Sequence, residues 1–261
     1  MHSSPDLIES RQNPALKRVR GIAAGKEKGT LLLEGSRLVT DAIGAKAALE
    51  IILLDERTDP HALLEAGANP EIMRWVKAGL LDGTGGVLST PGVIALSAPP
   101  PEVELSSLQP GPQDLLLVAC GISDPGNLGA LARAAEAAGA RALVQVAGGV
   151  SPWNVRALRG SMGSLLRLPV VCGAEAGEVA QALAAQGWKS VAAATREGQP
   201  LGEFDWSGPR ALWVSGETSG DPECFAEFDQ VTIPMAGQVE SLNVTVAGAL
   251  LLFAAGRVGG S

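Results

Sequence analysis

The stretch IPMAGQVESLNVTVAGALLLFAAGR, residues 233–257, gives the strongest indication of the fold of this chain. It predicts a loop around Pro234 and Gly237, followed by a helix that is uncharged from Ser241 to Gly256. A helix that is apolar on every side must be enclosed by a sheet, by a second subunit or by lipid. Its sixteen residues fall short of the roughly 20 that span a bilayer, so we expect enclosure by protein.

Two polar residues begin this helix. Ser241 is a candidate N-cap, because its hydroxyl can accept a hydrogen bond from a backbone N–H of the first turn. Asn243 lies within the first turn of an otherwise apolar helix. Its amide therefore needs a hydrogen-bond partner, which the protein or a ligand could supply.

The composition predicts a folded, soluble chain of one large or two ordinary domains. Of 261 residues, 46% are apolar and 18% are charged. Cys120, Cys172 and Cys224 are odd in number, far apart and without neighbouring histidines, which predicts reduced, buried thiols in the cytoplasm and no metal site. The N-terminus lacks the basic region and apolar run of a signal peptide, and no segment predicts a membrane span.

Charge is distributed unevenly along the chain. The net charge of −8 argues against a nucleic-acid partner. Residues 1–50, however, carry eight basic and six acidic side chains, a net charge of +2, which leaves −10 for the remainder. This basic end is either a solvated helix face or a binding patch.

The N-terminal part predicts a small α/β domain over residues 1–98, because helical and extended patterns alternate. Residues 99–113, PPPEVELSSLQPGPQ, contain five prolines and predict a linker without secondary structure. The predicted helices cover 12–28, 37–43 and 62–78, the last interrupted at Asn69-Pro70. The predicted strands cover 30–34 and 49–54, and residues 87–96 contain a predicted turn at Pro91-Gly92.

Residues 114–261 predict a second domain with a parallel sheet that is covered by helices on both faces. Short apolar strands alternate with helices, and such β-α units bring ligand sites to the C-terminal ends of the strands. The predicted strands cover 115–120, 142–146, 166–171, 190–194, 211–215 and 231–233, and the helices before the final one cover 128–138, 155–159 and 176–186.

Two loops at predicted strand ends carry polar residues. DPGN, residues 124–127, leads into a helix with Arg133, whose guanidinium in an Ala/Leu-rich helix either points to solvent or meets an anion. The glycines of this region lack the spacing of a dinucleotide-binding turn. SGETSGDP, residues 215–222, is either a flexible turn or a loop that lets a ligand approach the backbone while Glu217 accepts a hydrogen bond.

Together, DPGNLGALARAAEAAGA, VSGETSGDP and residues 233–257 resemble, in this order and at these separations, the three signature motifs of the SpoU (TrmH-like) family of RNA ribose 2′-O-methyltransferases. SPWNVRALRGSMGSLLRLPV, residues 151–170, is similar to the family's stretch between the first two motifs. Residues 1–97 are similar to the small RNA-binding domain of its ribosomal-RNA enzymes. Asp221 and the acidic charge balance depart from the family pattern.

The resemblance implies a catalytic α/β domain with a trefoil knot, S-adenosylmethionine as cofactor, a homodimer, and ribosomal RNA as substrate. Transfer RNA as substrate, or a non-catalytic RNA-binding or ribosome assembly factor, remain alternatives. By matching position, the polar active-site set is Asn127, Arg133, Glu217, Ser241 and Asn243. The cofactor set is Gly216, Ile233, Met235, Leu242 and Asn243.

The implied reaction is an in-line attack of a ribose 2′-hydroxyl on the sulfonium methyl. A guanidinium stays protonated, so we expect Arg133 to orient a phosphate or stabilise the developing alkoxide rather than act as a base. RNA would be held by basic side chains through its phosphates. These are Lys17, Arg18, Arg20, Lys26, Lys28, Arg37 and Arg159, helped by Arg156 and Arg167.

Overall fold

A computed structural model describes residues 7–84, 92–216 and 222–256. The chain divides into two compact units, the N-terminal unit (residues 1–101) and the C-terminal unit (residues 102–261). The division lies inside the predicted linker, but the second half of that segment is structured. Leu105–Ser107 forms a 3-10 turn, and the buried Leu108 accepts a hydrogen bond of 2.7 Å at its carbonyl from the Trp188 indole. Those contacts attach residues 105–108 to the C-terminal unit.

The described part of the N-terminal unit contains a mixed sheet with strand order β1-β4-β2-β3. Strand β4 pairs antiparallel with β1 and β2, whereas β2 and β3 are parallel. The strands are β1 (Leu31–Glu34), β2 (Leu49–Asp55), β3 (Met73–Val76) and β4 (Val93–Ser97), and the helices are α1 (Pro14–Ala23), α2 (Ser36–Gly44) and α3 (His61–Glu65).

Two predictions for this unit are wrong in part. The predicted helix over 62–78 ends early, because residues 73–76 pair with β2 and form a strand. The predicted helix over 12–28 is shorter at both ends: Asn13 caps its start, and the chain turns at Gly25, where φ is +70°. The turn predicted at Pro91-Gly92 falls partly on residue 91, which lies outside the described residues.

The described part of the C-terminal unit contains a parallel sheet with strand order β7-β6-β5-β10-β8-β11-β9, which confirms the α/β class. The strands are β5 (Leu115–Cys120), β6 (Ala142–Gln145), β7 (Val170–Cys172), β8 (Lys189–Ala194), β9 (Gln199–Pro200), β10 (Arg210–Ser215) and β11 (Asp229–Thr232). The helices are α4 (Pro125–Ala137), α5 (Val155–Gly160), α6 (Ser164–Arg167), α7 (Ala176–Gln186) and α8 (Val244–Gly256).

The strand order reverses next to β5. The chain runs outward from β5 through β6 to β7 and then continues on the other side, where β10 pairs with β5. In open α/β sheets, ligands bind at the C-terminal ends of the strands at such a switch point. The extended segment predicted over 166–171 is wrong at its start, since Leu166 and Arg167 end α6. The trefoil knot stays a prediction. Of the three cysteines predicted to be buried, Cys120 is buried, Cys224 is half-buried, and Cys172, at the end of the short strand β7, is exposed.

Helix α8 differs from the prediction in where it begins. It begins at Val244, and its cap is Asn243 rather than Ser241: the Asn243 Oδ1 accepts a hydrogen bond of 2.9 Å from the Thr245 backbone N–H. It is also buried on one side only. Gly248, Leu251 and Leu252 are buried, whereas Val246, Leu250 and Phe253 are 45–49% exposed. Across the described ranges, no helix is long and apolar enough to cross a bilayer.

Candidate active site

Helices α4 and α8 lie side by side because glycines allow their backbones to approach. A Cβ on Gly248 would overlap the Leu131 side chain, and one on Gly256 would overlap the Ala138 carbonyl oxygen. Gly129, on another side of α4, lies equally close to the backbone of α5 at Ala157. These contacts bring the N-terminal turns of α4 and α8 together at the C-terminal edge of the sheet.

A polar cluster forms where the two helices begin. The Asn243 Nδ2 donates to the Asn127 Oδ1 at 3.3 Å, although the two residues are 116 positions apart. The Thr245 hydroxyl lies 3.3 Å from both the Oδ1 and the backbone oxygen of Asn127. Asp124 caps α4 and accepts from the Asn127 backbone N–H at 2.9 Å, and Arg156 forms an ion pair of 3.6 Å with Asp124. The amides predicted from two separate motifs therefore meet.

A cavity of about 260 Å³ opens beside this cluster. Its lining comes from the ends of β8 and β10, the loop after β11 and the first half of α8 with the residues before it, and it is apolar apart from backbone groups and three hydroxyl side chains. The lining residues are Ala193, Ala194, Thr195, Val214, Ser215, Gly216, Ile233, Met235, Ser241, Leu242, Val244, Ala247 and Leu251. Four of the five residues predicted to hold a cofactor are in this set, and Asn243 instead belongs to the polar cluster.

Gly216 is required at its position by the neighbouring strand. Its N–H donates to the Cys120 carbonyl at 2.9 Å, which continues the pairing of β10 with β5 beyond Ser215. A Cβ at this residue would overlap the Gly121 carbonyl oxygen. Any larger residue would therefore separate the ends of the two strands that border the cavity.

The other polar residues of the predicted set are not part of the cluster. Arg133 is exposed on α4, six positions beyond Asn127, and has no polar partner among the described residues. Ser241 is exposed and lines the cavity. Glu217 lies outside the described residues. Within the described ranges, no group of three or more acidic, cysteine or histidine side chains is arranged to hold a metal ion.

The basic residues predicted to bind RNA fall into two groups. Arg18 is bound to Glu27 and Glu50, which raise the pKa of its guanidinium. Arg20 donates to the Arg11 carbonyl, and Arg37 pairs with Asp41 at 3.3 Å. Lys17, Lys26, Lys28 and Arg159 are exposed and have no ion-pair partner in the described part of the chain.

Of the two helper arginines, Arg167 is held by Glu136 through hydrogen bonds of 2.6 and 2.8 Å, which lower the pKa of that carboxyl. Arg156 remains near the polar cluster through Asp124.

Thr195 and Thr245 are polar residues of the site that were not predicted from the sequence. Thr195 follows directly after β8 and accepts at its carbonyl from the Thr232 hydroxyl. Its position after an apolar strand is the signal that could have found it. Thr245 joins the polar cluster two positions after Asn243, and only its contact with the distant Asn127 identifies it.

Comparison with known proteins shows the family of the chain. The model of the SpoU rRNA Methylase family matches residues 114–253. The chain belongs to this family. The 23S rRNA (guanosine(2553)-2′-O)-methyltransferase RlmP of Bacillus subtilis is 32% identical over 251 residues, which cover 94% of this chain and 97% of the relative. This SpoU protein is therefore similar to that relative in both units.

Solved structures of SpoU proteins have the same fold. An RNA 2′-O ribose methyltransferase superposes with a TM-score of 0.82 at 32% identity, over 96% of this chain and 98% of its own. The SpoU methyltransferase AviRb from Streptomyces viridochromogenes, in complex with AdoMet, has a TM-score of 0.81 at 25% identity, over 95% and 99% of the two chains. The likeness extends over both units of the SpoU chain.

Proposed function

We propose that this protein transfers a methyl group from S-adenosylmethionine to a ribose 2′-hydroxyl of 23S ribosomal RNA. The observation that carries the proposal is the position of the Asn127–Asn243 pair next to a cavity built from Gly216, Ile233, Met235 and Leu242. Membership of the SpoU rRNA Methylase family, and the name of the Bacillus subtilis relative, support the reaction and the RNA class.

The cavity fits the cofactor in its chemistry. Its apolar side chains can cover an adenosyl group, and the backbone of Gly216, Ile233 and Met235, at or just beyond strand ends, can hydrogen-bond its polar edges. S-adenosylmethionine would supply an electrophilic methyl group on a sulfonium sulfur. Thr195, Val244 and Ala247 complete the wall on the strand and helix sides.

The residues of the chain act by positioning. Asn127 and Asn243 would orient the ribose beside the cavity, so that its 2′-hydroxyl faces the place where the methyl donor would be held. Arg133 neutralises the target phosphate or the developing alkoxide, because its charge is permanent. The 2′-hydroxyl proton leaves through solvent. Lys17, Lys26, Lys28 and Arg159 contact phosphates of the RNA.

The protein acts in the cytoplasm as a homodimer in this proposal. Val246, Leu250 and Phe253 recur on one side of α8 at spacings of four and three residues, so they form an exposed apolar stripe. A second copy would cover this stripe, which would place the interface on the helix that packs against α4, the helix of Arg133. A shared interface also accounts for a helix that is apolar on the side facing away from its own core.

Two measurements test the proposal. Calorimetric titration with S-adenosylmethionine should give a one-to-one complex per chain, with NADH as the non-binding control. Mapping of 2′-O-methyl sites in ribosomal and transfer RNA, from cells with and without the gene, should reveal one site in 23S rRNA that is lost. Loss of a site in transfer RNA instead would identify transfer RNA as the substrate. Cofactor binding without any lost site would favour a non-catalytic assembly factor.

A further inference from the structure

We propose that Thr245 is a positioning residue, which holds the Asn127 amide so that its Nδ2 faces the target nucleotide. The inference rests on the proposed function and extends it to a residue outside the polar set that the motifs imply. Thr245 is half-buried in the first turn of α8, and its hydroxyl lies 3.3 Å from the Asn127 Oδ1.

The orientation of the Asn243 amide is determined by the backbone of its own helix. Its Oδ1 accepts a hydrogen bond of 2.9 Å from the Thr245 N–H, and a backbone N–H can only donate. The Asn243 Nδ2 is consequently the group that faces Asn127. It donates, so the atom it meets on Asn127 must be the oxygen, Oδ1.

The Thr245 hydroxyl adds a second donor to the same residue. It lies 3.3 Å from both oxygens of Asn127, the side-chain Oδ1 and the backbone carbonyl, and it can donate to either. A hydroxyl in the first turn of a helix usually bonds within that turn. Here it reaches a residue 118 positions away, which ties the α8 terminus to Asn127 rather than stabilising α8 alone.

The consequence concerns the other end of the Asn127 amide. With Oδ1 occupied, the Nδ2 remains as a donor, and it has no partner among the described residues. A donor recognises an acceptor, and the acceptors that a nucleotide presents near its ribose are phosphate and sugar oxygens. Both contacts to Oδ1 are long at 3.3 Å, so loss of one loosens the amide rotamer without removing the side chain.

The test compares three substitutions of one residue. Thr245→Val keeps the shape and removes the donor, whereas Thr245→Ser keeps the donor. We expect Thr245→Val to lower kcat by about tenfold, the size of one hydrogen bond, with the affinity for S-adenosylmethionine unchanged within about twofold. Thr245→Ser should restore turnover. If Thr245→Val does not fold, Thr245→Ala removes the same donor.

A double-mutant cycle separates positioning from a general structural role. In an Asn127→Ala background, Thr245→Val should cause no further loss of kcat, because the group that Thr245 positions is gone. Additive losses would overturn the proposal. So would a Thr245→Val enzyme with wild-type turnover, or a Thr245→Ser enzyme as impaired as Thr245→Val.

A spectroscopic measurement tests the contact without any substrate. The side-chain amide resonances of Asn127 can be assigned from their loss in Asn127→Asp. They should shift in Thr245→Val and stay in place in Thr245→Ser, and unchanged resonances in Thr245→Val would contradict the contact. If the wild-type protein methylates no RNA, the proposed function fails. The resonances then still test whether the Thr245 hydroxyl contacts the Asn127 amide.

Discussion

The two units of this protein differ in what brings their polar side chains to a site. In the C-terminal unit, Asn127 and Asn243 meet because Gly248 and Gly256 let α8 pack closely against α4. In the N-terminal unit, Lys17 and Arg18 are adjacent in sequence, yet Arg18 is bound by two carboxylates and Lys17 is free of ion pairs within the described residues. A buried framework thus assembles distant residues, whereas on a surface the nearest neighbours decide what a charge can do.

The largest effect is expected at Arg133. Arg133→Ala should lower methyl transfer by about a hundredfold or more, because it removes charge stabilisation at the reacting phosphate or oxygen. Affinity for S-adenosylmethionine, measured by calorimetry, should hardly change. The matched control is Arg167→Ala, since Glu136 already occupies that guanidinium, and its turnover should stay within a few fold of wild type. Full activity in Arg133→Ala would contradict the assignment.

The next effect concerns the apolar stripe on α8. Phe253→Asp places a charge among Val246 and Leu250 and should weaken self-association by about a hundredfold, as expected from the burial of such side chains. Sedimentation should then show a monomer, and a methyl-transfer assay should show little activity. Leu64→Asp, at a similarly exposed leucine of the N-terminal unit, should remain dimeric. A wild-type protein that sediments as a monomer would refute the homodimer.

A smaller effect is expected on the basic surface of the N-terminal unit. Combined replacement of Lys17, Lys26 and Lys28 by alanine should weaken RNA binding by about tenfold and lower the slope of log affinity against log salt by about 2. Arg18→Ala should leave that slope unchanged, because its charge is committed to Glu27 and Glu50. Equal salt slopes for the two variants would contradict the claim that unpaired basic residues bind RNA and paired ones do not.

The smallest effect is a pH dependence of the N-terminal unit. Hydrogen bonds from Arg57, and from the Gly79 N–H, lower the pKa of the buried Asp55 to about 2. A lowered folded-state pKa means that this carboxylate stabilises the unit above pH 4, by about 1–2 kcal/mol, and that the contribution is lost as the pH falls to 2.

Asp55→Asn should remove that stabilisation and flatten the dependence. The pH dependence of the stability can be measured by amide hydrogen exchange of β2 and β3 between pH 5 and pH 2. The exchange is followed by mass spectrometry and corrected for the intrinsic exchange rates. Identical pH profiles for Asp55→Asn and wild type would show that the Arg57 contact does not stabilise the unit.

Much of the fold could be predicted because its strands are short apolar runs with clear boundaries. Residues 115–120 and 176–186 form the predicted strand and helix with unchanged limits. Residues 73–76 could not be predicted, since their strand depends on pairing with β2, and local pattern does not encode a partner. The same reason explains residues 105–108, where prolines indicated a linker and Leu108 is nonetheless buried.

Part of the candidate site could likewise be predicted from the sequence, and part of it could not. Gly216, Ile233, Met235 and Leu242 were predicted by motif and line one cavity. The cap of α8 was misassigned to Ser241, because Ser and Asn are both good caps and the sequence does not reveal where the helix begins. Thr245 could not be predicted as a site residue, because a threonine in the first turn of a helix often bonds only within its own helix.

The sequence by itself determined the class of the fold, the family and the segments from which the site is built. Residue types and spacings carry that information, because they are local properties that can be read along the chain. Only the tertiary structure decided that α8 is covered on one side, that Arg18 and Arg167 are already paired, and that Thr245 touches Asn127. Each of these depends on which distant atoms come within a few ångströms, and chain order does not fix that distance.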